Sequence, residues 1–193
     1  MLRVIAINGS LRTGSHNGAL LRAAAALLPS GVELAELTGL AHLPAYSEDH
    51  DAGPPPITVA ALRRSLASAD AVLISTPEYN SSIPGQLKNA LDWASRPFPD
   101  NALRAKPAAV IGASTGMFGA VFAQGELRKV LQTIGAHVID RELPVPFAHE
   151  RFDATGRLTD DLLRQELADL VGELVAGARR ARHAGEPPIA LAS

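Results

Sequence analysis

Short apolar runs alternate with helical patterns along this chain, and that alternation restricts the architecture more than any other feature. Leu2 to Ile7 is a β-branched run of the kind buried on both faces of a sheet. Val32 to Leu37 alternates as a second strand, Ala71 to Ser75 and Lys106 to Gly112 read as a third and fourth, and His137 to Leu143 as a fifth. Helical patterns separate them. Asn17 to Leu28 ends at Pro29-Ser30-Gly31, and Ile57 to Ser68 follows an irregular stretch, Thr38 to Pro56, rich in Gly, Pro, Asp and His. Pro84 to Ser95 carries its proline in the first turn, where a missing N–H does no harm, and Gly119 to Ile134 is closed by Gly135. Thr159 to His183 is amphipathic, with Leu162, Leu163, Leu167, Leu170, Val171, Leu174 and Val175 spaced for one face.

Such βα alternation calls for a parallel sheet with helices on both faces. Five strands fit an α/β, flavodoxin-like three-layer sandwich of strand order 2-1-3-4-5, by analogy with that fold, better than the six-stranded dinucleotide fold. The 193 residues suffice for one substantial domain, assigned to 1–183, with 184–193 as a flexible tail around Pro187-Pro188. A net charge of -2 offers no basic field for nucleic acid and no polybasic run for a membrane surface. Cysteine is absent, so thiolate chemistry, disulfides and iron–sulfur ligation are excluded, and redox chemistry would need a bound cofactor. The first apolar run is too short for a signal peptide or membrane span, which places the protein in the cytoplasm.

In a parallel sheet the loops leaving the strand ends share one edge, and ligands bind there beside the point where strand order reverses. Three of these loops are unusual. The first, Asn8-Gly9-Ser10-Leu11-Arg12-Thr13-Gly14-Ser15-His16-Asn17, offers small residues, hydroxyls and one Arg just before a helix N-terminus. Backbone N–H groups and the helix dipole suit a phosphate there, and Arg12 can grip two oxygens at once. A plain capped turn, with Ser15 or Asn17 as N-cap, is the alternative reading. Neither GxGxxG nor a Gly-Lys-Ser/Thr ending is present, so a phosphate monoester such as that of FMN fits better than a pyrophosphate.

The second loop, Thr76 to Gly85, displays Glu78, Tyr79 and Asn80 between Pro77 and Pro84, a rigid frame for the polar edge of a flat heterocycle. The third, Gly112 to Ala120, is rich in small residues that let backbone approach a planar ligand, with Ser114 and Thr115 able to bond a ring edge. The six histidines are scattered without metal-ligand spacing, and no metal site is expected. Trp93 reads as a packing residue, and Lys88 with Asp92 as a solvated i,i+4 pair.

Taken together, GSLRTGSHN, TPEYNSSIPGQLKNALDWASR and GASTGMFGA make the chain resemble the NADPH-dependent FMN reductase family, which includes chromate, quinone and azo-dye reductases. The resemblance covers about Leu2 to Leu143 and rests chiefly on the TPEYN block. It implies non-covalent FMN, NADPH or NADH as co-substrate, a small-molecule electron acceptor, and a homodimer or homotetramer. By position it assigns Ser10, Arg12, Ser15 and Asn17 to the FMN phosphate, with His16 bordering them. Pro77, Glu78, Tyr79 and Asn80 would border the ring or ribityl chain, and Ser114, Thr115 and Gly116 the other edge. No side chain is expected to be catalytic, because the hydride chemistry belongs to the flavin. One departure stands out: many relatives carry a Gly-Gly pair after the third loop, where this chain reads Met117-Phe118-Gly119-Ala120. An electron carrier or flavin-binding module without nicotinamide turnover is the competing expectation.

Overall fold

The apolar runs pair as parallel strands in the order β2-β1-β3-β4-β5, in a computed structural model that describes residues 1–185. The strands are β1 (Leu2–Asn8), β2 (Val32–Glu36), β3 (Ala71–Thr76), β4 (Pro107–Ala113) and β5 (His137–Val138), with β6 (Pro144–Val145) also on β4. Register runs Asn8 beside Ser75 and Thr76 beside Gly112, so the C-terminal ends of β1, β3 and β4 lie level. The helices are α1 (His16–Ala26), α2 (Glu48–Asp51), α3 (Ile57–Ala67), α4 (Gly85–Ala94), α5 (Val121–Ile134) and α6 (Asp161–His183), with 3-10 turns at Leu40–His42 and Ala148–Glu150.

Period-two alternation assigns the strand residues to two cores. Ile5, Ile7, Val72, Ile74, Ala108 and Val110 face α3, α4 and α5. Val4, Ala6, Ala71, Leu73, Ala109 and Ile111 face α1 and α6. The expected three-layer sandwich is therefore present, with its central strands apolar on both faces. Trp93 is fully buried, as a packing residue should be, and its Nε1 donates to the Pro44 carbonyl at 2.9 Å. Lys88 and Asp92 form the expected partly exposed pair, 2.7 Å apart.

Two expectations change. The stretch Thr38 to Pro56 is not wholly irregular, since it contains a 3-10 turn and the one-turn α2. The fifth strand, expected over His137 to Leu143, is split into β5 and β6. The intervening Asp140-Arg141-Glu142 turns its charges away from the ladder: Arg128 on α5 pairs with Asp140 and Glu142, and Arg141 reaches Glu173 on α6 at 2.7 Å. Both ladder positions survive on either side, with Ile139 donating to Ala108 and Gly112 to Leu143. The tail expected from 184 onward lies outside the described residues beyond 185.

Candidate active site

Strands β1, β3 and β4 are adjacent, and the chain reverses direction across the sheet between β1 and β3, so the three unusual loops meet at the switch point. Gly9 begins the first. Its N–H donates to Ser75 O at 2.8 Å, and a Cβ there would stand 3.0 Å from Leu87 Cδ2 and 3.2 Å from Ser75 O. A side chain here would push Leu87 and the Ser75 carbonyl back by a few tenths of an ångström, so glycine suits this close approach of β1 to β3 and α4. Ser15 is the N-cap of α1, its Oγ accepting the N–H groups of Asn17 at 3.2 Å and Gly18 at 3.3 Å. Ser10 is buried, and its Oγ accepts the Arg12 N–H at 3.4 Å. Arg12 itself is exposed, and its guanidinium enters no ion pair among the described residues.

Asn17 is placed differently from its loop neighbours. Its Nδ2 donates to Ala113 O at 2.9 Å, and its Oδ1 accepts from Ala113 N at 2.9 Å and Ser75 Oγ at 2.8 Å. The buried amide thus ties the start of α1 to the ends of β3 and β4. His16, next along the helix, is half-buried and its ring stacks on Phe152, centroids 6.1 Å apart and planes 18° from parallel. Burial first, then the Arg12 guanidinium and the nearby His149 ring, hold its pKa below the ordinary imidazole value.

In the second loop Pro77 is buried, and Tyr79 and Ser82 exchange backbone hydrogen bonds of 3.0 and 3.1 Å around Asn80 and Ser81. Those two residues have φ of 53° and 60°, the left-handed pair that closes a tight two-residue hairpin. Tyr79 and Asn80 consequently stand exposed at the rim. Glu78 turns the other way. Its Oε2 accepts the Ala123 N–H at 3.0 Å, in the first turn of α5, a helix whose N-cap, Ala120, has no capping side chain. The carboxylate supplies the missing cap and complements the positive helix end.

Thr115 and Gly116 of the third loop are exposed, while Ser114 is half-buried and its Oγ accepts the Gly116 N–H at 3.1 Å. Gly119 has φ +57°, and a Cβ on it would lie 2.7 Å from Val145 N, so no other residue fits. Ala120 follows at φ 64°. This consecutive left-handed pair is where a Gly-Gly pair would be free of strain, and Ala120 adopts it despite its Cβ. Met117 and Phe118 point outward, 65% and 54% exposed, and Phe118 meets Phe122 edge-to-face at 5.5 Å. They add an apolar rim to this edge.

A fourth segment at this edge was not expected from the sequence. Residues 146–160 leave the end of β6, beside the third loop, with Phe147 donating to Gly116 O and Ala148 to Ser114 O. The signal was there in a weak form, since a strand C-terminus followed by Phe147, His149, Arg151 and Phe152 is chemically dense.

These residues suit FMN: a capped helix N-terminus beside an unpaired exposed Arg for a phosphate, then loop backbone and exposed apolar side chains for a planar ring. Comparison with known proteins points the same way. The sequence model of the family described as NADPH-dependent FMN reductase matches residues 2–150. An NAD(P)H-dependent FMN reductase of Pseudomonas aeruginosa is 44% identical over 184 residues, covering 94% of this chain and 97% of the relative. A 2-hydroxy-1,4-benzoquinone reductase of a Burkholderia species is 37% identical, covering 94% and 98%. Among solved structures, a flavoenzyme NAD(P)H:acceptor oxidoreductase of Paracoccus denitrificans superposes with a TM-score of 0.81 at 36% identity, covering 93% of this chain and 98% of that one.

Proposed function

Because the chain belongs to the NADPH-dependent FMN reductase family, we propose that the loops after β1, β3 and β4 hold its FMN, phosphate toward α1 and ring toward Tyr79 and Thr115. The protein is an FMN-dependent NAD(P)H oxidoreductase that passes electrons to a small-molecule acceptor. Bound FMN supplies the hydride and electron chemistry. The polypeptide binds and orients. Arg12 with the N-terminus of α1 takes the phosphate, Ser10 and Ser15 brace that loop, and His16 borders it. Asn17 and Glu78 serve the site from beneath, by tying its loops to the sheet and to α5. Pro77 stiffens the second loop, and Asn80, Ser114 and Gly116 shape the ring edge. The observation that carries this reading is Arg12, exposed and without an acidic partner among the described residues, at the helix end beside the switch point.

Quinones are the acceptor class we favour, because relatives over most of the chain bear that activity in their names. Nicotinamide and acceptor would use the same open face in turn, so initial-rate lines for varied NADPH and quinone run parallel; intersecting lines count against the scheme. The apolar rim of Tyr79, Met117, Phe118, Phe122 and Phe147 supports assembly as a homodimer or homotetramer, to be read by light scattering on a sizing column. A cytoplasmic location is proposed as well; no helix among the described residues is long and apolar enough to cross a membrane. The deciding experiment is the visible spectrum of the purified protein before and after anaerobic NADPH. Two flavin bands that bleach within seconds support the reductase, bands that persist point to a carrier, and no bands even with added FMN overturn the site.

A further inference from the structure

The segment after β6 is braced like a fixed part rather than a free loop. Phe152 pairs with Leu158, which is buried, and the Asp153 carboxylate accepts from Thr155 and Arg157 backbone N–H groups at 2.9 and 3.0 Å. Arg151 reaches Asp160, the N-cap of α6, at 3.0 Å. The strap lies along α1. Phe152 stacks on His16 at its first residue, and Gly156 sits where a Cβ would be 3.6 Å from the Arg22 guanidinium. The family match ends at residue 150, inside the strap, so Phe152 and the Asp153 turn lie beyond it.

Resting on the phosphate end of the site proposed above, we infer that this strap completes it: Phe152 positions the His16 ring beside Arg12, and His16 takes up one proton when the FMN phosphate binds. In the flavin-free protein, burial first, then the Arg12 guanidinium and the neighbouring His149 ring, favour neutral imidazole. A phosphate dianion at the α1 N-terminus reverses the balance, because it is an opposite charge close to the ring. The proton comes from solvent, so one is consumed per FMN bound and none per riboflavin, which lacks the phosphate.

The groups facing His16 are Arg12 from the first loop and His149 from the 3-10 turn. His149 itself lies 3.3 Å from the Glu150 carboxylate. Arg151 is engaged by Asp160, and Arg22 lies further along α1 against Gly156. Among these, His16 is the group that both sits at the helix end and is held by an aromatic partner from a distant segment.

The test compares FMN and riboflavin dissociation constants for the full-length, flavin-free protein between pH 6.5 and 8, above the second ionisation of a phosphate monoester at about 6. FMN affinity is expected to rise by about threefold to tenfold for each unit of pH lowered, the limit for one linked proton being tenfold. Riboflavin affinity stays flat. His16→Asn abolishes the FMN slope and Phe152→Leu weakens it, with riboflavin binding unchanged in both. Calorimetry in two buffers of different ionisation enthalpy should count the proton directly. An FMN slope identical in wild type and His16→Asn overturns the inference. Arg12→Ala separates the two failures. If it weakens FMN but not riboflavin while His16→Asn does nothing, only the strap inference falls; if it leaves both unchanged, the phosphate site itself is wrong. Residue 16 is half-exposed in a first helical turn, so His16→Asn keeps the test intact even where Phe152→Leu unfolds the strap.

Discussion

Replacing Asn17 by alanine should damage the fold far more than the ligand, and the size of that effect follows from three hydrogen bonds. Asn17 is 3% exposed, and its amide satisfies Ala113 N, Ala113 O and the Ser75 hydroxyl at 2.8 to 2.9 Å. Truncation leaves the two backbone groups without partners in a buried place, each at about 1–2 kcal/mol, and removes the Ser75 bond at about 1 kcal/mol. The vacated volume is polar and large enough for a water, which recovers part of the loss. A net cost of about 2–4 kcal/mol results. Urea unfolding of the flavin-free protein, followed through Trp93, the chain's one tryptophan and fully buried, gives the number. Ser75→Ala should cost about 1 kcal/mol, and the double variant should fall short of the sum, because the two changes delete a shared bond. For folded Asn17→Ala, the ratio of FMN to riboflavin affinity should stay near the wild-type value. A stability change under 0.5 kcal/mol, or a selective loss of FMN over riboflavin, refutes the reasoning and returns Asn17 to the phosphate.

Other substitutions separate binding from support. Arg12→Ala should weaken FMN by roughly 10- to 100-fold, the equivalent of one charge-assisted contact, and leave thermal stability within about 0.5 kcal/mol; flavin fluorescence titration and a melt measure the two effects. Glu78→Ala should lower stability by about 1 kcal/mol through loss of the α5 cap, with Glu78→Gln retaining part of it, as seen by denaturant midpoint. Trp93→Phe should cost about 2 kcal/mol and no more, because Pro44 O keeps a second donor, Asn89 Nδ2 at 2.9 Å, when the indole N–H is gone.

Elements with a local cause were legible in the sequence. The strands before the three loops are apolar on both faces, so their runs are visible without knowing any partner. Gly135 as the left-handed C-cap of α5 follows from nearest-neighbour chemistry alone, and the same chemistry narrows the N-cap of α1 to Ser15 or Asn17, of which the fold uses Ser15. What escaped was decided by distant partners. The split of the last strand depends on Arg128 and Glu173, carried by two different helices, and no periodicity in residues 137 to 143 encodes them. Likewise the strap at 146–160 gains its importance from a stack on His16, more than a hundred positions earlier in the chain.

The candidate site makes the same distinction among residues that look alike on paper. Asn17, Glu78 and Ser114 stand beside Arg12, Tyr79 and Thr115 in three polar loops, and composition treats them as equals. In the fold, the first three already have partners: Ala113 and Ser75 for Asn17, the α5 N-terminus for Glu78, and Gly116 with the strap for Ser114. A group already bonded within the protein has fewer bonding positions left for a ligand, and drawing it away from its partner costs about as much as the new bond gains. Arg12, Tyr79 and Thr115 are exposed, and their side chains carry no such commitment among the described residues. Ligand affinity should therefore concentrate on the second set and stability on the first, and a residue that moves both together would show that the flavin rearranges these loops on binding.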